Sequence, residues 1–355
     1  MLASGCSAAA LCQKSAKPVI KRPDVDIAGE TPMTANLSRR SMLALGAGAG
    51  LSLAHTGLVM AKAPMLGAPA PQFYRFKLGA SECTIVTDGA LSLGEPSASF
   101  KGLTKEVVGK MLTDNFLPSD NVLLEQNVLV VNTGDKVMLF DTGLGVSKAF
   151  GPTTGQLVAN LKGAGIQPEQ IDAIVLSHAH IDHLGGIAGA DGVSLFPNAQ
   201  IYLQQIDFDF WTDEGKLGGP LKAFVEHARL NLMKSRERIV FFKDGQEFLP
   251  GVTAIAAPGH TVGHTIFMIA SGKETLCYIG DLSHHPVLLF EKPLTEFAYD
   301  TDPKQAAQTR VKMLDMLVAN KTAFLAYHFP WPGIGHAVKA GEGYHFIASP
   351  MKITL

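Results

Sequence analysis

The chain has 355 residues, 46% hydrophobic and 17% charged, with a formal net charge of −2. That is enough apolar material for one large domain or two small ones. No basic stripe and no interleaving of aromatic with basic residues occurs, so no nucleic-acid partner is expected.

The first sixty or so residues differ in character from the rest. SRRSMLALGAGAGLSLA (38–54) sets a twin arginine, Arg39 and Arg40, ahead of a short, mildly apolar, Gly/Ala-rich run. It resembles a bacterial twin-arginine export signal and is too short and glycine-rich to span a bilayer comfortably. Met33 stands at a suitable distance upstream, so it reads as the physiological start and 1–32 as upstream translation. Ala61-Lys62-Ala63 fits a small-residue cleavage site, although Pro64 follows it. LASGC (2–6) is discounted as a lipoprotein box because nothing apolar precedes it. The expected organisation is an upstream segment and signal over 1–63 and one domain over 70–355. The domain is expected in the periplasm or secreted, with the export machinery as a partner and no membrane association once mature. Removing 1–63 takes away seven Lys/Arg and three Asp/Glu, and the net charge moves from −2 to −6. Cys83 and Cys277 remain; a disulfide and two buried free thiols both stay open.

From about residue 70 the pattern is short apolar runs broken by Gly and Asp. ECTIVTDGAL (82–91), NVLVVNTGDKVMLFDTG (127–143) and AIVLSHAH (173–180) read as strands, the second folded at NTGD into a hairpin. TGQLVANLKGAG (154–165) has helical apolar spacing and stops on Gly. AQIYLQQIDFDFW (199–211) starts as strand and becomes helix. VTAIAAPGHTVGHTIFMIA (252–270) and TLCYIGD (275–281) are strands again. KQAAQTRVKMLDMLVANK (304–321) is a long amphipathic helix, and TAFLAYHFP (322–330) a last buried strand. Each half runs strands, helix, strand. The expected fold is α+β, two β-sheets face to face with helices outside, an αββα sandwich.

LSHAHIDHLGG (176–186) carries His178, His180, Asp182 and His183 directly after an apolar run. In extended backbone residues 178 and 180 point the same way and can reach one ion. Asp182 and His183 come as a neighbouring pair that can face a second. Gly185 and Gly186 are read as letting the chain turn sharply as a helix begins. Four ligand-type side chains in six positions at a strand end predict metal binding.

H-x-H-x-D-H resembles the signature of the metallo-β-lactamase superfamily, and further matches follow in order. His260 lies in APGHTVGHT, Asp281 in YIGDL and His328 in AYHFP; the resemblance runs from about Phe73 to the C-terminus. Within the superfamily, FGPTTGQLVANLKGAGIQPEQID (150–172), DFDFW (207–211) and PGIGHAVKAGEGYHF (332–346) are similar to the methyl parathion hydrolase group. The resemblance implies two mixed sheets flanked by helices, a homodimer, and two divalent ions. One ion would take His178, His180 and His260, the other Asp182, His183 and His328, with Asp281 and an activated water between them. Imidazole and carboxylate donors suit zinc first, then manganese, cobalt or iron. Asp281 and Asp182 are the implied catalytic carboxylates. Phe150, Trp211 and Phe224 match aromatic positions of the substrate pocket, and His284 joins them through its place in GDLSHHP. Asp141 is expected to hold a ligand histidine, Asp88 to bond backbone or a ligand, and His264 to orient its loop. His336 and His345 carry no spacing signal.

Two departures bear on substrate. Many lactone-cleaving relatives have a tyrosine soon after the bridging aspartate, where this chain reads Asp281-Leu-Ser-His-His. β-Lactam-cleaving members often carry cysteine in place of Asp281. The expected function is an exported dinuclear metallohydrolase of small neutral esters, first organophosphate triesters of the methyl parathion type. The alternatives are an N-acyl homoserine lactonase, an aryl esterase, or a non-catalytic metal-binding protein.

Overall fold

The computed structural model describes residues 71–353, and the twin-arginine and start-site expectations lie outside the described residues. The chain enters through an antiparallel pair, β1 (Phe73–Leu78) and β2 (Ser81–Thr87). An excursion follows: β3 (Leu91–Gly94), β4 (Phe100–Lys101), α1 (Lys105–Asp114) and β5 (Val122–Leu124). Then come the hairpin β6 (Asn127–Asn132) and β7 (Val137–Phe140), α2 (Leu157–Gly163), β8 (Ala173–Val175), α3 (Ile181–Leu184) and β9 (Gln200–Gln204). Helices α4 (Gln205–Thr212) and α5 (Lys222–Leu232) lead to β10 (Ile239–Phe242). The second half runs β11 (Glu247–Leu249), β12 (Val252–Ala256), β13 (Thr265–Ser271), β14 (Glu274–Tyr278), β15 (Glu296–Phe297), α6 (Pro303–Ala319), β16 (Ala323–Leu325), β17 (Ile334–Ala340) and β18 (Gly343–Ala348).

Fourteen of these strands form two seven-stranded mixed sheets, ordered β1-β2-β6-β7-β8-β9-β10 and β11-β12-β13-β14-β16-β17-β18, and β3–β5 and β4–β15 form separate pairs. The pairs β7–β8, β8–β9, β9–β10 and β14–β16 are parallel. Period-two alternation buries both faces of the central strands. On β14, Leu276 and Tyr278 enter the core between the sheets with Ile85, Leu129 and Phe140, while Cys277 turns the other way. Cys277 packs with Ile266, Phe324 and the α6 residues Met313, Leu314 and Leu317. Leu157 and Leu161 of α2, and Val225 and Leu232 of α5, cover the first sheet. Cys83 and Cys277 are therefore free buried thiols in different cores, and no disulfide joins them.

Most boundaries follow local chemistry. Gly165, at φ +83°, lies just past α2, and Asp302 caps α6 by accepting from the Gln305 N–H with Pro303 behind it. Two expectations need correction. The run 322–330 is not the last strand, because β17 and β18 pair beyond it. Gly185 and Gly186 do not begin a helix; α3 ends before them. Their requirement is proximity: a Cβ on Gly186 would sit 1.9 Å from the Thr142 carbonyl oxygen. Backbone contact at that range fixes the turn against the end of β7.

Candidate metal centre

The site gathers at the C-terminal ends of β8, β14 and β16 and in the β12–β13 loop. β8 delivers His178, His180, Asp182 and His183; the loop delivers His260; β14 and β16 deliver Asp281 and His328. All seven side chains are buried. Gly280, at φ +46°, sets the turn before Asp281, and a Cβ there would approach His264 Nε2 to 3.0 Å.

Asp281 stands in the middle. Its Oδ2 lies 3.1 Å from His260 Nε2 and 3.8 Å from His178 Nε2. Its Oδ1 lies 3.2 Å from His183 Nε2 and 3.4 Å from His328 Nε2. One oxygen thus faces each half of the cluster. Asp182 Oδ2 is 3.3 Å from His328 Nε2 and 3.5 Å from His183 Nε2. The ring nitrogens of His178, His180 and His260 lie within 4.8 Å of one another, as do the donor atoms of Asp182, His183 and His328.

The surroundings decide which nitrogen faces inward. His183 Nδ1–H donates to Asp141 Oδ2 at 2.8 Å, and His260 Nδ1–H to Asp300 Oδ1 at 2.8 Å. His328 Nδ1–H donates to the Glu125 carbonyl at 2.8 Å. Ser177 Oγ donates to Asp141 Oδ2 at 2.7 Å and so accepts from His178 Nδ1–H at 3.0 Å. Four imidazoles are thereby fixed with their Nε2 lone pairs toward the centre. With both rings neutral in that tautomer, His178 Nε2 and His260 Nε2 face each other at 3.2 Å as two acceptors. His183 Nε2 and Asp281 Oδ1 are buried without a hydrogen-bond partner. Convergent buried lone pairs of this kind fit a pair of divalent cations and are costly without them.

The titration of the cluster agrees. Burial pushes His178 and His180 well below the usual imidazole range, helped by the neighbouring His260. Burial opposes charge at His183, but Asp281, Asp182 and Asp141 outweigh it and raise it well above that range. His260 and His328 are pushed up to about 9 against the same burial, by Asp281 with Asp300 and by Asp281 with Asp182. Asp182, despite burial, is held at about 2 by His183 and His328. The carboxylates demand positive charge, which protons supply when metal does not.

The supporting residues are sorted by geometry. Asp141, at φ +60°, accepts from the Ser177 N–H at 2.8 Å, the Ser177 hydroxyl, Tyr278 OH at 2.8 Å and His183. Asp141→Ala is expected to destabilise the fold by about 3–5 kcal/mol, because it strands these buried donors. Urea unfolding measures it, and a loss below about 1 kcal/mol would contradict the assigned role. His264 Nε2 accepts from the Asp281 N–H at 3.0 Å while its Nδ1–H donates to Ala257 C=O, so it orients Asp281 through backbone. Asp88 bonds only backbone and Gln126, accepting from Leu144, Gly155 and Leu157 N–H groups, and touches no candidate ligand. His285 is buried, its Nδ1 accepting from Val287 and Leu288 N–H groups. His336 and His345 sit on β17 and β18, outside the cluster.

Above the cluster opens a narrow cavity of about 30 Å³. His180, Asp182, His284 and His328 border it, and Leu91, Leu93, Leu124, Phe150, Phe224, Phe297 and Tyr299 wall it. The excursion between β2 and β6 supplies the leucines. His284 Nε2 is 3.0 Å from Asp281 Oδ2, and its ring stacks on Phe297 at 3.9 Å. Trp211 is corrected: it does not line the cavity. It is buried behind it, edge-on to His180 at 4.8 Å and against Phe224 at 5.8 Å. Sequence reasoning missed three supports. Asp300 has no motif around it, Ser177 was read as part of a strand, and Asp207 was quoted only within DFDFW. Asp207 accepts from Ala179 N–H at 2.7 Å and Gly263 N–H at 2.9 Å, clamping two candidate ligand loops together.

The Metallo-beta-lactamase superfamily model matches residues 122–327, more than half of the chain, and the chain belongs to that superfamily. Its two sandwiched sheets and flanking helices are the fold of that superfamily. Among solved structures it is similar to AidC, a dizinc quorum-quenching lactonase in complex with a product. The two share 32% identity at a TM-score of 0.74, over 79% of this chain and 98% of that one. It is also similar to the hydrolase AbOPH, at 31% identity and TM-score 0.75, over 80% of this chain and all (100%) of that one. An N-acyl homoserine lactonase of Bacillus cereus is 24% identical over 161 residues, 45% of this chain and 58% of that protein. A probable metallo-hydrolase of Mycobacterium bovis is 25% identical over 217 residues, 53% and 66% respectively. The chain spans less than two thirds of the length of these curated relatives.

Proposed function

We propose that this enzyme hydrolyses N-acyl homoserine lactones at a dinuclear metal centre, with zinc as the first metal to test. The observation that carries the reading is the cavity: a floor of convergent imidazole and carboxylate donors under an apolar, partly aromatic wall. A neutral lactone ring with an acyl tail complements both surfaces. Likeness to a dizinc lactonase over 98% of that chain's length supports it. His178, His180 and His260 would hold one ion, Asp182, His183 and His328 the other, and Asp281 would bridge them. Bound metal would supply Lewis-acid polarisation of the ester carbonyl and a water of lowered pKa. Asp281, its backbone fixed by His264, would help hold both ions and is placed to accept a proton from an attacking water. His284, three residues past Asp281, sits with its Nε2 3.0 Å from Asp281 Oδ2 at the edge of the cavity. The aromatic wall excludes bulk water and positions the tail.

Organophosphate triesters and aryl esters need the same parts, and likeness to the hydrolase AbOPH keeps them in the assay. The enzyme, reconstituted with Zn²⁺, Mn²⁺ or Co²⁺, is assayed on N-hexanoyl homoserine lactone, a paraoxon-type triester and an aryl acetate. The lactone is expected to give the highest kcat/KM by at least about tenfold. A triester in first place would move the assignment, and no turnover with metal bound would remove it. Phe224→Ala, which opens the wall beside His180, is expected to raise KM for acyl lactones about tenfold, ~1.4 kcal/mol. Steady-state kinetics should show kcat little changed, since the contact is equal in ground and transition states; an unchanged KM would place the acyl tail elsewhere.

A further inference from the structure

Arg310 lies on α6, on the outer side of the second sheet, yet its side chain is only 1% exposed. A guanidinium so placed needs acceptors, and it has them in three separate parts of the site. Nε–H donates to Leu282 C=O at 3.0 Å, the residue after Asp281. Nη1–H donates to Pro293 C=O at 2.7 Å and Thr295 C=O at 2.9 Å, on the strap that leads into the wall residues Phe297 and Tyr299. Nη2 lies 3.9 Å from Asp300 Oδ2, an oxygen with no hydrogen-bond partner. The other oxygen of Asp300 accepts from His260 Nδ1–H at 2.8 Å. The strap is also sewn to the His260 loop. Thr301 N–H donates to His260 C=O and Asp302 N–H to Gly259 C=O, each at 2.8 Å. Thr309, the neighbour of Arg310, donates its hydroxyl to Pro258 C=O at 2.7 Å.

We propose that Arg310 is a positioning residue of the metal centre, acting on His260 through Asp300. Asp300 accepts from His260 Nδ1–H and so orients that ring, while the guanidinium faces the other Asp300 oxygen at 3.9 Å and holds the carboxylate in place. The three carbonyl contacts of Arg310 hold the Asp281 turn and the pocket strap in one frame. Lysine would keep the charge but not the planar fork that spans these acceptors. The inference rests on reading the cluster as a metal centre and is independent of which ester is cleaved.

The test is zinc affinity, measured by chelator competition on the purified folded full-length protein, with circular dichroism as the check on folding. The variants are R310K, R310M, D300N and R310M combined with D300N. R310K and D300N are each expected to weaken zinc binding about ten- to hundredfold. The double variant should lose clearly less than the sum of the two single losses, because the path through Asp300 to His260 is common to both. Should R310M not fold, R310K combined with D300N completes the same cycle. Unchanged affinity in folded R310K, or losses that add in the double variant, would overturn the proposal. A parent protein that binds no zinc would instead overturn the metal centre, and a failed lactone assay touches neither result.

Discussion

Asp281→Asn is expected to lower kcat/KM by at least about a thousandfold, ~4 kcal/mol of transition-state stabilisation. Asn has the same shape, so the fold should survive. It has one carbonyl oxygen in place of two carboxylate oxygens, and no charge. Asp281 Oδ2 faces His260 at 3.1 Å while Oδ1 faces His183 at 3.2 Å and His328 at 3.4 Å. One side of that bridge becomes an NH2 group that cannot ligate. The proton acceptor beside the attacking water is lost with it. Kinetics and metal content are read together on the same preparation. A variant within about tenfold of the parent, with two metals bound, would refute the bridging role.

Stripping the metals is expected to abolish turnover and to reverse the effect of pH on stability. In the metal-free protein His260 and His328 titrate at about 9 and His183 well above the usual range, against 6.5 for a free imidazole. Raised folded-state values mean that these groups stabilise the fold fully below about pH 6.5. That contribution is lost as pH rises through about 9. His178 and His180, shifted downward, add a rise with pH that levels off about one unit above their unfolded value of 6.5. The Tm of the chelated protein should therefore fall from about pH 7.5 to 9, and the rise in Tm on adding Zn²⁺ should grow. Scanning calorimetry of both forms at matched pH measures it. A metal-induced rise that shrinks with pH would show that protons and metal do not compete for these nitrogens.

How far the sequence carried depended on whether chemistry was local. The hairpin at 127–140, helix α2, the strand-to-helix passage at 200–212 and helix α6 rest on apolar period and on turn and cap residues. All were legible before the structure. The excursion with α1 was not. Its strands are two to four residues long, too short to show a period, and exist by pairing β3 with β5 and β4 with β15 far along the chain. The strands β17 and β18 were missed because their exposed Lys339, His345 and Ile347 dilute the alternation.

At the centre, H-x-H-x-D-H was readable because four donors crowd six positions. His260, Asp281 and His328 were placed by resemblance, and the structure brings all three to the same cluster. Asp300 and Arg310 carry no local signal, since their partners are 40 and 28 residues away. Trp211 was misplaced for a different reason. A tryptophan close to two aspartates reads as less core-like and so as pocket-lining, but α4 turns Asp207 inward as a loop clamp and carries Trp211 into the layer behind His180.

Metal content per chain, measured by mass spectrometry on purified folded enzyme alongside turnover, tests the central claim most directly. The expected result is two divalent ions per chain, with activity lost on chelation and restored on returning metal. Full activity retained after exhaustive chelation, with less than one metal per chain, would contradict it.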